Sequence, residues 1–281
     1  MKQDTFFGKV LIVGRTNVGK STLLNQFITS NISITSRKPN TTQLHITGIY
    51  TSNVIQFELI DSPGIQIGNK NYLDKKKLRD TYNLIQETNV IIFMITGFVW
   101  TTQEQKLLEY IKKNNDKYII VINKIDKIKN KKSLLPFIFK ISQLIENHEI
   151  FLISAKKKMY LEKLITCINK KLPISQHKYL NDVKTTCTKK FLTAEIIRET
   201  LINLLNQELV YAFTVSIYHL YQDANKRYII ECIIFIKNIH HKKIIIGSRG
   251  KKIKQCYRIS RYKLEKLFKE YIFLKIQVKI K

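Results

Sequence analysis

Acidic side chains are scarce in this sequence. Only 21 Asp and Glu stand against 49 Lys and Arg, a formal charge of +28 over 281 residues. That imbalance calls for a polyanionic partner: nucleic acid first, an anionic membrane surface second. The chain is also rich in Lys, Ile and Asn, so part of the excess is compositional, and where the charge sits matters more than its sum. Cysteine is scarce as well. Cys167, Cys187, Cys232 and Cys256 form no C-x-x-C pair and have no His at zinc spacing. This excludes a zinc ribbon or finger and leaves reduced, mostly buried thiols in a cytosolic protein. No apolar run reaches the ~18 residues needed to span a membrane. The opening residues, MKQDTFFGKV, lack an apolar signal core and run straight into a first strand. The length suits one large or two ordinary domains, and the expectation is a soluble, cytoplasmic protein.

Against that background one stretch is chemically explicit. Gly14-Arg15-Thr16-Asn17-Val18-Gly19-Lys20-Ser21 fits G-x-x-x-x-G-K-[ST]. The apolar run Val10-Leu11-Ile12-Val13 precedes it, and the helical pattern from Thr22 to Phe27 follows. That is the strand, loop and helix a phosphate-binding loop requires. Glycines at both ends let successive N–H groups turn inward, and the helix start adds free donors and partial positive charge. Lys20 is expected on the β- and γ-phosphates, and the Ser21 hydroxyl on Mg²⁺.

Residues 9–172 alternate strands with helices, the mark of a mostly parallel sheet covered on both faces. The spacing predicts strands at 9–13, 44–51, 54–60, 90–95, 118–122 and 150–153, and helices at 20–28, 75–88, 103–114, 131–147 and 160–171. Ligands of such sheets bind at the loops leaving the strand C-termini, and each further motif falls on such a loop. The long segment from Thr29 to Thr42 ends in Pro39-Asn40-Thr41-Thr42. A loop of this length is usually functional, and a Thr hydroxyl here suits Mg²⁺ when a γ-phosphate is present. Asp61-Ser62-Pro63-Gly64 follows a strand; its carboxylate can hold the magnesium shell opposite Ser21, and Gly64 lets its N–H approach the γ-phosphate.

Asn123-Lys124-Ile125-Asp126 follows the strand 118–122. A carboxylate at Asp126 can accept guanine N1–H and the 2-amino group together; adenine would leave it unpaired, at a cost when buried. Asn123 can tie loops together, and the Lys124 stem can lie across the base. Ser154-Ala155-Lys156 supplies small residues whose N–H groups can reach guanine O6.

A polar stretch at 173–190, opened by Pro173, reads as a linker. A helical pattern at 191–206 follows, then strand-like runs at 210–221 and 227–237 joined by Asp223-Ala224-Asn225, an antiparallel hairpin. Gly247-Ser248-Arg249-Gly250 comes after the apolar run Ile244-Ile245-Ile246. Between 242 and 262 there are eight basic residues and no acid: Lys242, Lys243, Arg249, Lys251, Lys252, Lys254, Arg258 and Arg261. A helix to Phe268 and a strand from Ile272 to Ile280 close the chain. In this order of elements, G-x-x-G with a basic cluster resembles a type II KH domain, whose loop lies against a single-stranded nucleic-acid backbone. The candidate RNA contacts are Lys243, Ile246, Gly247, Ser248, Arg249, Gly250, Lys251, Lys252, Lys254 and Arg258.

The series GRTNVGKS, TT, DSPG, NKID and SAK resembles a translation-factor-class GTPase. The phrase Ile32-Ser33-Ile34-Thr35-Ser36-Arg37-Lys38 with Thr41-Thr42, and Trp100-Thr101, resembles the Era family specifically. The resemblance runs over nearly the whole chain. It implies an α/β P-loop GTPase fold at 1–172, the linker, and a smaller α+β type II KH domain at 191–281. It implies a Mg²⁺-dependent GTPase, alternating between GTP and GDP, that binds small-subunit 16S rRNA near its 3′ end during 30S assembly. The implied GTP site is Gly14 to Thr22, Asp61 to Gly64, Asn123, Lys124, Asp126 and Ser154 to Lys156. Lys20, Asn17, Thr42 and Gly64 would serve catalysis, and Ser21, Thr42 and Asp61 the metal. Asn17 matches the Asn of potassium-stimulated relatives, which brings K⁺ in as a further ion. Ile65 cannot orient water, so slow intrinsic turnover is expected. A monomer with no DNA partner is expected, with peripheral contact to the inner face of the cell membrane as an added site. Three departures stand out: Gln43 where the family usually has Arg, Thr16 in place of Pro, and an end at Lys281 where relatives commonly carry a short tail. Two rival readings remain at this point: a GTP-gated factor at an anionic membrane surface, and an RNA-binding module with a silent nucleotide site.

Overall fold

The computed structural model describes residues 4–30, 32–33, 45–64, 72–145, 148–205 and 212–280. They fall into two compact units, the first ending at Thr186 and the second beginning at Cys187 for the remainder of the chain.

The first unit carries β1 (Phe6–Val13), α1 (Lys20–Ile28), β2 (Ile46–Thr51), β3 (Ile55–Asp61), α2 (Tyr72–Glu87), β4 (Val90–Thr96), α3 (Thr102–Asn114), β5 (Tyr118–Asn123), α4 (Leu135–Ile145), β6 (Ile150–Leu152) and α5 (Leu161–Lys171). Its sheet runs β2-β3-β1-β4-β5-β6, parallel throughout except for the antiparallel pair β2–β3. Val10 to Val13, Val90 to Ile95 and Tyr118 to Ile122 are all buried. β-branched and aromatic side chains fit the pleat, and burial on both faces keeps these three runs apolar. Leu107, Leu108 and Ile111 put one stripe of α3 into this core. The helix expected at 131–147 is instead a 3₁₀ turn, Lys131–Leu134, followed by α4. Pro136 lacks an N–H and is tolerated only in the first turn of a helix, so α4 starts beside it.

The stretch 173–190, expected as a linker, is fastened to the first unit as far as Thr186. Ser175 N donates to Thr5 O at 2.9 Å, and Ile49 N to Lys184 O at 2.8 Å. Gln56, fully buried on β3, accepts the N–H groups of Lys178 and Tyr179 at 2.8 Å each and donates to Tyr179 O at 2.9 Å. The Tyr179 hydroxyl donates to Glu58 at 2.6 Å.

The second unit holds α6 (Lys189–Leu204), β7 (Phe213–Gln222), β8 (Tyr228–Ile236), α7 (Ile239–Ile246), α8 (Lys251–Phe268) and β9 (Ile272–Ile280). Its sheet runs β7-β8-β9, the first pair antiparallel and the second parallel. Asp223 closes the hairpin, its Oδ1 accepting Asn225 N and Arg227 N at 2.9 Å each. Alternate residues of β8, Tyr228, Ile230, Cys232, Ile234 and Ile236, face the core under α6 and α8. The start of the strand expected at 210–221 lies outside the described residues. Ile244, Ile245 and Ile246, read as a bare apolar run, form the last turn of α7, a helix the sequence reading passed over. Its start is marked by Asn238, whose side chain accepts from His241 N at 2.9 Å.

Candidate nucleotide pocket and nucleic-acid interface

The loop between β1 and α1 is built on two glycines in the left-handed half of backbone space, Gly14 at φ 148° and Gly19 at φ 107°. A Cβ on Gly14 would lie 2.2 Å from Met94 O, and one on Gly19 2.3 Å from the Asn123 amide nitrogen. Neither position admits a side chain. No side chain caps α1 at Gly19, so the first-turn N–H groups stay open toward an anion. Lys20 Nζ donates to Gly14 O at 3.1 Å and to Arg15 O at 2.9 Å, filling the loop with its ammonium group. Burial pulls Lys20 down to about 8, against the opposing pull of Asp61. An anion within the loop would relieve that penalty.

Asp61, fully buried at the end of β3, accepts Ser21 Oγ at 2.5 Å and Ser33 Oγ at 2.8 Å on Oδ2, while Oδ1 has no hydrogen-bond partner among the described residues. Burial raises the Asp61 carboxyl; Lys20 and the two hydroxyls act the other way. A buried carboxylate with an unpartnered oxygen beside a hydroxyl is an oxygen-only donor set, which fits a hard cation such as Mg²⁺. Ser62 Oγ donates to Ile12 O at 2.7 Å, and Pro63 is buried. Gly64 lies against the loop, where a Cβ would come 2.4 Å from Thr16 Cγ2 and 2.7 Å from Thr16 Cα. Asn17 is exposed and left-handed at φ 62°; Val18 is buried. Thr22 sits in the first turn of α1.

Asn123 ties three loops into one wall. Its amide donates to Val18 O at 2.8 Å, and its Oδ1 accepts Ala155 N at 2.9 Å. Lys124 is left-handed at φ 66° and its ammonium group donates to Asn17 O. Burial and Lys127 lower the Lys124 pKa, with Asp126 opposing. Asp126 accepts Ser154 Oγ at 2.6 Å, and Lys156 is exposed at the rim. Thr42, expected on the metal, lies outside the described residues, as do Thr41, Gln43 and Ile65.

Sequence reasoning missed Ser33 and Asn25. Asn25 holds the chain after α1, donating to Ser33 O at 2.8 Å and accepting Ile32 N and Ser33 N at 3.0 and 2.9 Å. An amide on the inward side of a short apolar helix was the only available signal. The contact between Arg15 and Glu104 (2.8 Å) was also missed.

In the second unit the G-x-x-G loop is left-handed at Gly247, Arg249 and Gly250. α8 starts at Lys251 with Gly250 as its N-cap and no side-chain cap, so both candidate sites end on an open helix N-terminus. A groove of about 510 Å³ is lined by Ile239, Lys242, Lys243, Ile246, Gly247 and Ser248. Four of the expected contacts, Lys243, Ile246, Gly247 and Ser248, share it, joined by Ile239 and Lys242. Lys251, Lys254 and Arg258 are exposed at one-turn spacing along α8, with Lys252 half-buried. Arg261, counted in the basic window, is engaged elsewhere: its Nε meets Glu265 at 2.9 Å and its guanidinium lies 4.6 Å from the Tyr271 ring centre.

A family model described as 50S ribosome-binding GTPase matches residues 9–124, and a KH domain model matches residues 208–281. The chain is 36% identical over 280 residues to GTPase Era of Histophilus somni strain 129Pt, covering 100% of this chain and 93% of that one. It is 34% identical to GTPase Era of Yersinia enterocolitica over 279 residues, covering 99% and 92%. Among solved structures, Era in complex with MgGDPNP and nucleotides 1506–1542 of 16S ribosomal RNA superposes with TM-score 0.93 at 32% identity, covering 99% of this chain and 94% of that one. An Aquifex aeolicus Era variant bound to GDP·AlF₄⁻ superposes with TM-score 0.94 at 32% identity, with the same coverage. The first unit is therefore a P-loop GTPase fold and the second a KH domain.

Proposed function

This chain belongs to the Era family of GTPases, and from that premise we propose that it binds and hydrolyses GTP and uses its KH domain to bind 16S rRNA near the 3′ end. The observation that carries the reading is the convergence at one mouth of the Gly14–Ser21 loop, Asp61 and the Asn123–Ala155–Asp126 wall. Phosphate oxygens meet the open N–H groups of the loop and Lys20. Asp126 accepts from guanine N1–H and N2, with Ala155 and Lys156 near O6 and the Lys124 stem against the base. Ser21 and Asp61 would hold Mg²⁺, with Thr42 as the third expected ligand, and the ion would supply positive charge against the phosphates. Lys20 and the Gly64 N–H stabilise charge that develops on the γ-phosphate oxygens. Asn17 would be the residue to help hold a potassium ion.

On the RNA side, the backbone passes the loop Gly247–Gly250, a splayed base enters the groove over Ile239 and Ile246, and Lys251, Lys254 and Arg258 meet phosphates. The protein so read is a cytoplasmic monomer acting on the 30S subunit, with a charge of +28 that also suits peripheral contact with an anionic membrane face. The test is made on one preparation: GTP turnover, and crosslinking to total cellular RNA with mapping of the bound nucleotides. Turnover with crosslinks at the 3′ end of 16S rRNA supports the proposal. Absent turnover, or crosslinks scattered without preference, overturns it.

A further inference from the structure

Glu104 is an acid in the first turn of α3 whose side chain is fully buried. Its Oε2 accepts both Thr101 N and Thr101 Oγ1 at 2.8 Å, and Thr101 Oγ1 in turn accepts Glu104 N at 3.3 Å. A capping box of this kind needs only one carboxylate oxygen. The other, Oε1, leaves α3 and accepts Arg15 Nε at 2.8 Å. Arg15 is the second residue of the phosphate loop, and its own carbonyl is one of the two oxygens that hold Lys20 Nζ. The contacts therefore run from the α3 cap through Arg15 to the lysine expected on the phosphates.

Other parts of the loop are fixed differently. Gly14 is pinned by its close approach to Met94 O, and Val18 by Asn123. Between them, among the described residues, Arg15 is tethered by one ion pair, to Glu104 on α3. We infer that Glu104 is a positioning residue for nucleotide binding: through the Arg15 side chain it fixes the loop so that the Arg15 carbonyl keeps Lys20 aimed inward. This gives Trp100-Thr101 a role. The tryptophan ring lies 5.9 Å from Phe93 in the core, its indole N–H donates to Gln105 at 2.8 Å, and Thr101 orients Glu104. A loop set in this way before binding has less freedom to lose when the anion enters.

The inference rests on the nucleotide reading above, and its test separates the two. Affinity for a fluorescent GDP analogue and the thermal midpoint are measured on the full chain for wild type, Glu104→Gln, Arg15→Ala, the double variant and Thr101→Ala. Glu104→Gln keeps an acceptor for Thr101 but removes the charge facing Arg15. It should weaken GDP binding about tenfold, as should Arg15→Ala, the scale of losing one charge-assisted hydrogen bond. The double variant should be no weaker than either single one, because both cut the same link. Thr101→Ala should lower the thermal midpoint and weaken GDP binding less than Glu104→Gln does, because the backbone N–H of residue 101 still holds Glu104 Oε2. Losses that multiply in the double variant, or a Glu104→Gln protein that shifts only the midpoint, overturn the positioning role. So does wild-type affinity in Arg15→Ala, which stands as a test even where Glu104→Gln folds poorly. Failure of wild type to bind the analogue overturns the nucleotide reading itself.

Discussion

The Ser154 hydroxyl donates to the Asp126 carboxylate across 2.6 Å, joining the loop after β6 to the loop after β5. The bond fixes the carboxylate plane and leaves each oxygen a lone pair for a base edge. Asp126→Asn should shift preference from GTP toward XTP, because an amide can donate to the 2-oxo group of xanthine. Ser154→Ala should weaken GTP about tenfold without changing which base is preferred. Competition of GTP against XTP on both variants decides; an Asp126→Asn protein with undiminished preference for GTP means that another group reads guanine.

Asn17 is exposed and left-handed in the phosphate loop, with its carbonyl held by the Lys124 ammonium group. Turnover should be faster in potassium than in sodium, by about tenfold, since a cation there offsets developing charge as an arginine finger does. Asn17→Ala should abolish the difference. Equal rates in the two salts for wild type would remove the monovalent ion from the mechanism.

Much of this was legible because burial on both faces writes itself plainly. Val90 to Ile95 has no polar residue to confuse its reading, and the phosphate loop carries its own glycines. β3 was harder. Its Gln56 and Glu58 alternate with Phe57 and Leu59, and the polar pair makes sense only with Lys178 and Tyr179 laid across it. The sequence reading took that stretch for a linker because its partners are backbone and polar groups more than a hundred residues away, which leave no periodicity. α7 was hidden by its lysines and by a three-isoleucine run that fits a strand as well as a helix. The contact of Arg15 with Glu104 spans 89 positions and has no local signature at all.

Burial pushes the Cys232 thiol up to about 12 and Cys256 up to about 11. In the unfolded chain a thiol ionises near about 8.5. These folded-state values are raised, so the neutral thiols favour the fold fully below the unfolded value. That contribution is lost as pH climbs through about 11 to 12, because only the unfolded chain gives up its protons on the way. Urea stability of the second unit should therefore fall above about pH 9, and Cys232→Ala should fall less over the same window. Alkylation gives an independent reading. Cys187, only half-buried, should react with iodoacetamide first, and Cys167, Cys232 and Cys256 only as the chain unfolds. Fast labelling of Cys232 in the native protein would contradict its placement in the core.

The loop Gly247-Ser248-Arg249-Gly250 offers a cleaner separation of the two activities. Gly247 lies hard against Lys252, where a Cβ would come 2.8 Å from Cγ and 3.1 Å from the backbone nitrogen, so the glycines are poor places to probe. Ser248 and Arg249 are exposed. Arg249 sits at φ 50°, a conformation that Asp tolerates better than most side chains. Ser248→Asp with Arg249→Asp should therefore keep the fold while placing two negative charges beside the expected RNA phosphates. RNA affinity should drop by about a hundredfold at low salt, and by less at high salt, since each lost basic contact also removes a released counterion. Replacing Arg258 should weaken RNA binding modestly and flatten its salt dependence, whereas Arg261, already engaged by Glu265 and Tyr271, should matter less. GTP turnover without RNA should stay at the wild-type rate, because the phosphate chemistry belongs to the other unit. RNA affinity at two salt concentrations and RNA-free turnover, measured on the same preparation, settle the matter. Undiminished RNA binding in the double-Asp protein would sink the KH assignment. A joint loss of both activities would mean an unfolded variant, to be replaced by Arg249→Ala with the same two readouts.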